Sequence, residues 1–299
     1  MSESNLTAPQ RTAAPASDGI VVSLSCVDRP GIVRAVVDFF YRHGCDIVES
    51  NQFGDTGSGQ FFMRVQMRTS EQTPALPDLD DAFADVAAEF GMDYRLAELS
   101  RPMRVLIMVS KFDHCLQDLL YRWSSGLLPI DIPVIVSNHP DLAPIAAWYG
   151  IEFVHLPVTR ETKPEAEAAL LELVDRHDVD LVVLARYMQI LSTELCKELD
   201  GRAINIHHSF LPSFKGANPY RQAHDRGVKL VGATAHYVTS DLDEGPIIEQ
   251  NVARVDHQAS VQDLVALGRD TEAHTLARAV LWHVQHRVLL NGHRTIVFR

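Results

Sequence analysis

Apolar residues along this chain keep two different rhythms. In the first, they alternate or recur at helical spacing. "IVVSLSCVD" (20–28) is dense in branched residues and predicts a strand. From Ile32 the positions Ile32, Val33, Val36, Val37, Phe39 and Phe40 form a helical stripe that Gly44 ends. "DIVESNQFGD" and "QFFMRVQMR" flank a Gly-rich turn and predict a hairpin. A helix at "LDDAFADVAAEFG" and a strand at "DYRLAEL" complete a ferredoxin-like order. "AELSRPM" (97–103) reads as a linker, and beyond it the second rhythm begins. "RVLIMVS" (104–110), "IDIPVIVSN" (130–138), "IEFVHLP", "VDLVVLA" (179–185) and "GRAINIH" are short continuous apolar runs that suit buried parallel strands. Helical segments at "CLQDLLYRW", "PDLAPIAAWYG" and "PEAEAALLELVDRH" separate them. Asn138 is expected to cap the second of these helices, and Thr162 to Glu165 to form a capping box around Pro164. Such alternation predicts an open α/β sheet with right-handed crossovers. After residue 228, "KLVGATAHYVT" and "PIIEQNVARV" predict an antiparallel extension of the sheet. A helix over roughly 260–290 and a last strand at "RTIVFR" close the chain. The expected divisions are a tail at 1–18, a first domain at 19–98, a linker at 99–103 and a second domain at 104–299.

Composition narrows the partners. The 299 residues suffice for two domains. A formal charge of -12 leaves no broad basic face, so nucleic acid is not an expected partner. No apolar run is long enough to span a bilayer, so no membrane is expected either. The polar start "MSESNLTAPQRTAAPASDG" lacks the apolar core of a signal peptide. Cys26, Cys45, Cys115 and Cys196 are scattered without paired spacing, which suits reduced thiols in a cytoplasmic setting. There is no HExxH and no Cys/His cluster at ligand spacing, so no metal is expected.

The candidate chemistry sits at two strand ends. In an open parallel sheet, ligands gather beyond the carboxyl ends of the strands. "GRAINIHHS" then delivers Asn205, His207 and Ser209 to one side and His208 to the other, because side chains alternate. "AHYVTSDLDEGPII" brings His236, Asp241, Asp243 and Gly245. An Asn amide can donate to an oxyanion, a neutral His can move a proton, and a carboxylate can set the tautomer of a His. Together they meet the needs of acyl transfer without a covalent nucleophile. Each alone also fits a structural role: a turn, a satisfied core histidine, a solvated carboxylate.

Two resemblances sharpen this. "DRPGIVRAV" with the hairpin behind it resembles an ACT domain over residues 20–98. That implies a regulatory or dimer-forming module, with Asp28, Arg29, Pro30, Gly31 and Ile32 near a small amino-acid effector, in a homo-oligomer (dimer or tetramer). "NIHHSFLPSFKGANPYRQAHDRGVKLVGATAHYVTSDLDEGPIIEQ" resembles the formyltetrahydrofolate-dependent formyltransferase family. The shared pattern is Asn-x-His, Ser-x-Leu-Pro, a Gly and a later Asp-x-Gly-Pro. It implies a Rossmann-like catalytic domain with Asn205, His207 and Asp243 as the catalytic residues. It also implies a folate lying along Arg186, Tyr187, Met188, Gln189, Ile190 and Leu191, with Thr239, Ser240, Asp241 and Leu242 beside its pterin-like ring. The substrate would be 10-formyltetrahydrofolate, with no prosthetic group, in one-carbon metabolism and purine biosynthesis.

A member that formylates a nucleotide amine would carry a Gly-rich phosphate loop after the first strand of this domain. "VSKFDHCLQDLL" (109–120) stands there instead, with Phe112-Asp113 where the pattern carries Glu-Ser. A long C-terminal extension of the tRNA-acting kind is also missing. The resemblance therefore implies water as the acceptor: hydrolysis to tetrahydrofolate and formate. A formyltransferase with an amine acceptor and a catalytically silent ligand sensor are the alternatives. The sequence leaves open the effector, the oligomer size and the division of proton transfer between His207 and Asp243.

Overall fold

The computed structural model describes residues 19–211 and 219–299. The expected tail at 1–18 and the run at 212–218 lie outside the described residues. The described residues form two compact units, one of residues 103–281, the other of residues 19–102 together with 282–299.

The N-terminal part follows the predicted order: β1 (Ile20–Val27), α1 (Ile32–Arg42), β2 (Asp46–Asp55), β3 (Gln60–Arg68), α2 (Leu76–Phe90) and β4 (Asp93–Glu98). Its strands pair antiparallel in the order β2-β3-β1-β4, a ferredoxin-like sheet. Alternation along β1 sends Val22 and Leu24 into a core with Ile32, Val36 and Phe40 of α1 and Leu79 and Phe83 of α2. Gly31 enters α1 at φ 102, a left-handed conformation that explains a glycine there.

The second unit alternates as predicted, with shifts at the edges. Its elements are β5 (Met103–Val109), α3 (His114–Ser124), β6 (Ile130–Asp131), β7 (Val134–Ser137), α4 (Ala143–Trp148), β8 (Glu152–His155), α5 (Lys163–Arg176), β9 (Leu181–Leu184), α6 (Thr193–Glu198), β10 (Ala203–His207), α7 (Pro219–Asp225), β11 (Leu230–Tyr237), β12 (Ile247–Arg254) and α8 (Val261–Val284). The sheet order is β12-β11-β10-β9-β5-β7-β8. The five strands from β10 to β8 run parallel, and β11 and β12 extend the edge antiparallel. Chain direction across the sheet reverses between β5 and β9, so a crevice is expected beyond their carboxyl ends.

Several local expectations are corrected. The run 130–138 is not one strand: Ile132-Pro133 interrupts it, because proline cannot donate to the ladder, and both pieces pair with β5. Asn138 does not cap α4, which begins five residues later. Its side chain is buried and accepts from the Ser110 hydroxyl at 2.6 Å. Thr162 precedes α5 without capping it, since its hydroxyl oxygen accepts instead from the Thr159 N–H at 2.9 Å. α6, with Ser192 as a true N-cap accepting from the Leu195 N–H, was not foreseen.

The largest correction lies at the C-terminus. The predicted helix to residue 290 ends at Val284, where His286 takes a left-handed φ of 54 and donates its N–H to the His283 carbonyl. A hairpin follows, β13 (Val288–Asn291) and β14 (Arg294–Val297), turned by Gly292 at φ 60. This segment belongs with the N-terminal strands rather than with 104–281. Arg287 holds Glu49 through two bonds of 3.0 and 2.9 Å, Arg64 donates to the Gln285 carbonyl at 3.0 Å, and Asn291 and Arg294 both hold Asp55 at 2.8 Å. No described helix is long and apolar enough to cross a membrane.

Candidate active site

Three strand ends supply the site. Ser110, the residue after β5, is buried. Its hydroxyl donates to Asn138 and accepts the Met188 N–H at 2.9 Å, tying down the segment that leaves β9. That segment starts with Arg186 at a left-handed φ of 65 and is fixed further on by the Ser192 N–H donating to Glu167 at 2.8 Å. β10 ends in His207. Thr234 of β11, its register partner, accepts from the Leu211 N–H at 3.1 Å and donates to the Ser209 carbonyl at 2.9 Å. The backbone that follows the two histidines is therefore pinned to the neighbouring strand.

Asn205, His207 and Asp243 come together. His207 Nδ1 lies 3.2 Å from Asp243 Oδ1. A carboxylate only accepts, so that nitrogen carries a proton, and in the neutral ring His207 Nε2 holds the lone pair. Nε2 is buried and has no partner among the described residues. Burial opposes the Asp243 charge, but the imidazoles of His207 and His236 outweigh it and hold the carboxyl well below its usual range. Asp243 also takes a left-handed φ of 58. Two such residues without glycine's freedom, Arg186 and Asp243, store strain on the order of 1–3 kcal/mol each. Gly245 permits the tight return behind Asp243, because a Cβ there would meet the Tyr237 carbonyl at 1.8 Å.

His236 is the residue whose part in this constellation the sequence reading missed. It faces Asn205 in the β10–β11 register. Its Nδ1 donates to the Tyr237 carbonyl at 2.8 Å, and its Nε2 lies 3.3 Å from the Asn205 amide nitrogen and 3.7 Å from Asp243 Oδ1. The pattern that could have found it is the alternation along "ATAHY" opposite "NIH", once those strands are paired antiparallel.

Two expectations at this strand end fail. Ser209 is buried and takes no place in the cleft wall; its carbonyl serves Thr234. His208 does not turn away. Alternation stops where β10 ends at His207, so His208 also lines the cleft and stacks on His207 with ring centroids 4.9 Å apart.

The cleft itself holds about 240 Å³. All ten residues expected along the substrate line it: Arg186, Tyr187, Met188, Gln189, Ile190, Leu191, Thr239, Ser240, Asp241 and Leu242. Met188, Ile190 and Leu242 are 52%, 60% and 57% exposed, so they are not core residues but apolar groups left at the rim. Burial next to Glu167 pushes the Tyr187 hydroxyl up to about 12, so it stays protonated.

Among the described residues one cluster has metal-ligating chemistry: His114, Cys115 and Glu272. It does not fit an ion well. The Glu272 carboxylate already meets His114 Nε2 at 2.8 Å, the Tyr220 hydroxyl at 2.5 Å and Arg186 Nε at 3.2 Å, and burial pushes the Cys115 thiol well up. Where a phosphate loop would lie, α3 begins instead with Asp113 at its N-cap, a carboxylate that disfavours an anion there.

Comparison with known proteins agrees with this architecture. Residues 103–280 match the formyl transferase family model. A formyltetrahydrofolate deformylase from Corynebacterium sp. (strain P-1) is 56% identical over 93% of this chain and 98% of its own. The crystal structure of a formyltetrahydrofolate deformylase from Burkholderia mallei superposes with a TM-score of 0.91 at 51% identity, over 95% of this chain and 100% of that one. Glycinamide ribonucleotide transformylase 1 from Symbiobacterium toebii is similar over only 66% of this chain and 95% of its own, with a TM-score of 0.62 at 30% identity. The deformylases thus share both units and the transformylase little more than one, and on likeness that runs nearly end to end this chain belongs to the formyltetrahydrofolate deformylase family.

Proposed function

We propose that this chain hydrolyses 10-formyltetrahydrofolate to tetrahydrofolate and formate, with Asn205, His207 and Asp243 as its catalytic residues. The observation that carries the reading is the lone-pair nitrogen of His207, buried and unpartnered in the cleft, with its other nitrogen on an ionised Asp243. In this mechanism a water oxygen adds to the formyl carbon while its proton passes to His207 Nε2. Asp243 steadies the imidazolium that forms. The oxygen of the formyl group becomes an oxyanion and accepts from the Asn205 amide, which His236 orients. The C–N bond then breaks, the nitrogen takes the proton from His207, and formic acid leaves, losing its remaining proton to solvent as formate. Side chains of this chain carry each step, and the proposal includes no prosthetic group. The substrate's ring and aminobenzoyl portion would lie along 186–191 and 239–242, against backbone and the exposed Met188, Ile190 and Leu242.

Incubation with 10-formyltetrahydrofolate and no added amine tests this. Steady formate release is expected. Release only after an amine is supplied would assign the chain to amine formylation, and binding without turnover would make it a sensor. The side chains at 110–114, in place of a phosphate cradle, favour water as the acceptor.

The proposal extends to regulation. Residues 19–98 would act as an ACT-type module that binds a small amino acid beside Asp28, Arg29, Pro30 and Gly31. These four are exposed and line an open concavity with Arg34 and Val37. Ile32, 2% exposed, packs inward and shapes the floor. Hydrolysis needs only water, so an effector that favours one state gives the reaction a brake. Calorimetry with a panel including glycine and methionine tests it; no heat and no change in rate across the panel removes it. A homo-oligomer and a cytoplasmic setting, where Cys26, Cys45, Cys115 and Cys196 stay unpaired as they are here, complete the proposal.

A further inference from the structure

His208, Arg186 and Glu272 form a chain of contacts that the mechanism above does not use. Arg186 is 10% exposed, and its guanidinium reaches two partners. Nε lies 3.2 Å from Glu272 Oε2, and Nη1 lies 2.6 Å from His208 Nδ1. The guanidinium carbon lies over the Phe112 ring, 5.4 Å from its centroid. The Arg186–Glu272 contact is an ion pair outside hydrogen-bond geometry; Glu272, 1% exposed, accepts its hydrogen bonds from Tyr220 and His114. Burial opposes the Glu272 charge, yet His114, Arg186 and Tyr220 hold its carboxyl below the usual range.

The chemistry of these groups fixes a protonation pattern. Arginine keeps its protons and can only donate. His208 Nδ1, 2.6 Å from Nη1, must therefore accept, which leaves His208 neutral with its proton on Nε2. The same reasoning gives His207 the opposite tautomer, because its Nδ1 faces a carboxylate. Two stacked rings, 24° from parallel, thus carry opposite tautomers. Among the described residues, the ionisable groups touching the pair or its partners include Arg186 after β9, Asp243 and His236 from β11 and its loop, Glu272 of α8, His114 of α3 and Tyr220 of α7.

We propose that Glu272 and Arg186 are positioning residues that hold His208 as a neutral Nε2–H ring against His207, so that His207 keeps its power to take a proton. A cationic His208 in stacking contact would oppose the imidazolium that His207 must form. Arg186 prevents that cation, and Glu272 offsets the charge that Arg186 brings. The inference rests on the role given to His207 above.

Nitrogen-15 spectra of the histidine rings read the tautomer directly, with His208 assigned through the His208→Gln variant. The wild-type His208 is expected as the Nε2–H tautomer, unchanged from about pH 6 to 8, although a free imidazole titrates near 6.5. An Nδ1–H tautomer, or ordinary titration, overturns the proposal whether or not any variant folds. The kinetic arm uses Arg186→Met combined with Glu272→Gln, which removes both buried charges together. Its kcat is expected to fall on the order of tenfold at pH 7, with a new acid limb near pH 6.5; because Arg186 also lines the cleft, the acid limb and not KM is the readout. Wild-type kcat and pH profile in that variant also overturn it. Asp243→Ala in the same assay separates the two readings. If it is inactive while the double variant behaves as wild type, only the positioning role is lost. If it turns over normally, the assignment of His207 and Asp243 falls.

Discussion

Buried charge is handled in two ways in the two units. In the unit that contains 19–102 and 282–299, Arg64 is 1% exposed, and all its donor nitrogens are occupied: Nε by the Gln285 carbonyl, Nη1 by Glu49 and Nη2 by Gln66. Arg287 adds two more bonds to Glu49. That network is saturated and joins residues more than 200 positions apart. In the unit of 103–281, the polar cluster is not saturated. His207 Nε2 is left over, and Arg186 and Asp243 hold strained backbone angles. A buried network whose nitrogens are all met within the chain fastens structure, whereas a cleft-facing nitrogen that no described protein atom meets can take part in chemistry.

The largest effect should come from breaking the unsaturated cluster. Asn205→Ala and Asp243→Ala should each lower kcat by about 100-fold or more while the fold survives. Formate release by variants whose circular dichroism matches wild type checks this. A folded Asp243→Ala protein with near-normal turnover would place the chemistry elsewhere.

Breaking the saturated network should cost stability. Glu49→Ala leaves the buried Arg64 and the neighbouring Arg287 without their shared carboxylate. Glu49 is itself partly exposed, so the loss should be at most about 3 kcal/mol. Hydrogen exchange should quicken in 60–68 and 288–297, with the strands at 103–109 and 181–184 little changed. Uniform loosening of both units would contradict this division.

Acid should separate the two units as well. Burial and the Arg95 charge lower the His283 and His286 imidazoles to about 4 and about 3. Both are depressed below the unfolded value near 6.5, so the unfolded state binds more protons between about pH 3 and 6.5. The stability they contribute is present above that window and lost as pH falls through it. Asp243 and Glu272 are also depressed, but from ordinary carboxylate values. Their contribution holds down to about pH 4 and goes only in stronger acid. Hydrogen exchange at pH 7 and pH 5, corrected for intrinsic rates, should show 282–299 and its partner strands weakening first. Equal weakening of 103–109 would remove the assignment to His283 and His286.

How much of this was legible in the sequence follows from which interactions are local. The period of apolar residues is a property of each strand or helix, so the ferredoxin-like order and the parallel run of β5 to β10 could be read directly. Asn205, His207 and Asp243 were legible because their motif is long and ordered. His236 needed the pairing of β10 with β11, and His208 needed the knowledge that β10 stops one residue earlier. Glu272 lies 64 positions beyond His208 on a helix whose pattern gives no hint of a buried carboxylate. The first strand of the C-terminal hairpin, β13, falls within the predicted helix because only Glu49 and Asp55, far upstream, explain where the hairpin rests; its second strand, β14, lies where the last strand at "RTIVFR" is expected.

Helix caps test the same lesson at its smallest scale. Thr162 and Ser192 both precede helices in the second unit, and sequence pattern favoured Thr162. The structure reverses the order: Ser192 accepts from the Leu195 N–H at 3.1 Å, and Thr162 caps nothing. Ser192→Ala should therefore cost about 1 kcal/mol. Thr162→Ala loses only exposed bonds within the 157–162 loop and should stay within about 0.5 kcal/mol of wild type. Urea midpoints at equal m-values measure both. A larger loss at Thr162 than at Ser192 would mean that its turn, and not its helix, is what the residue secures.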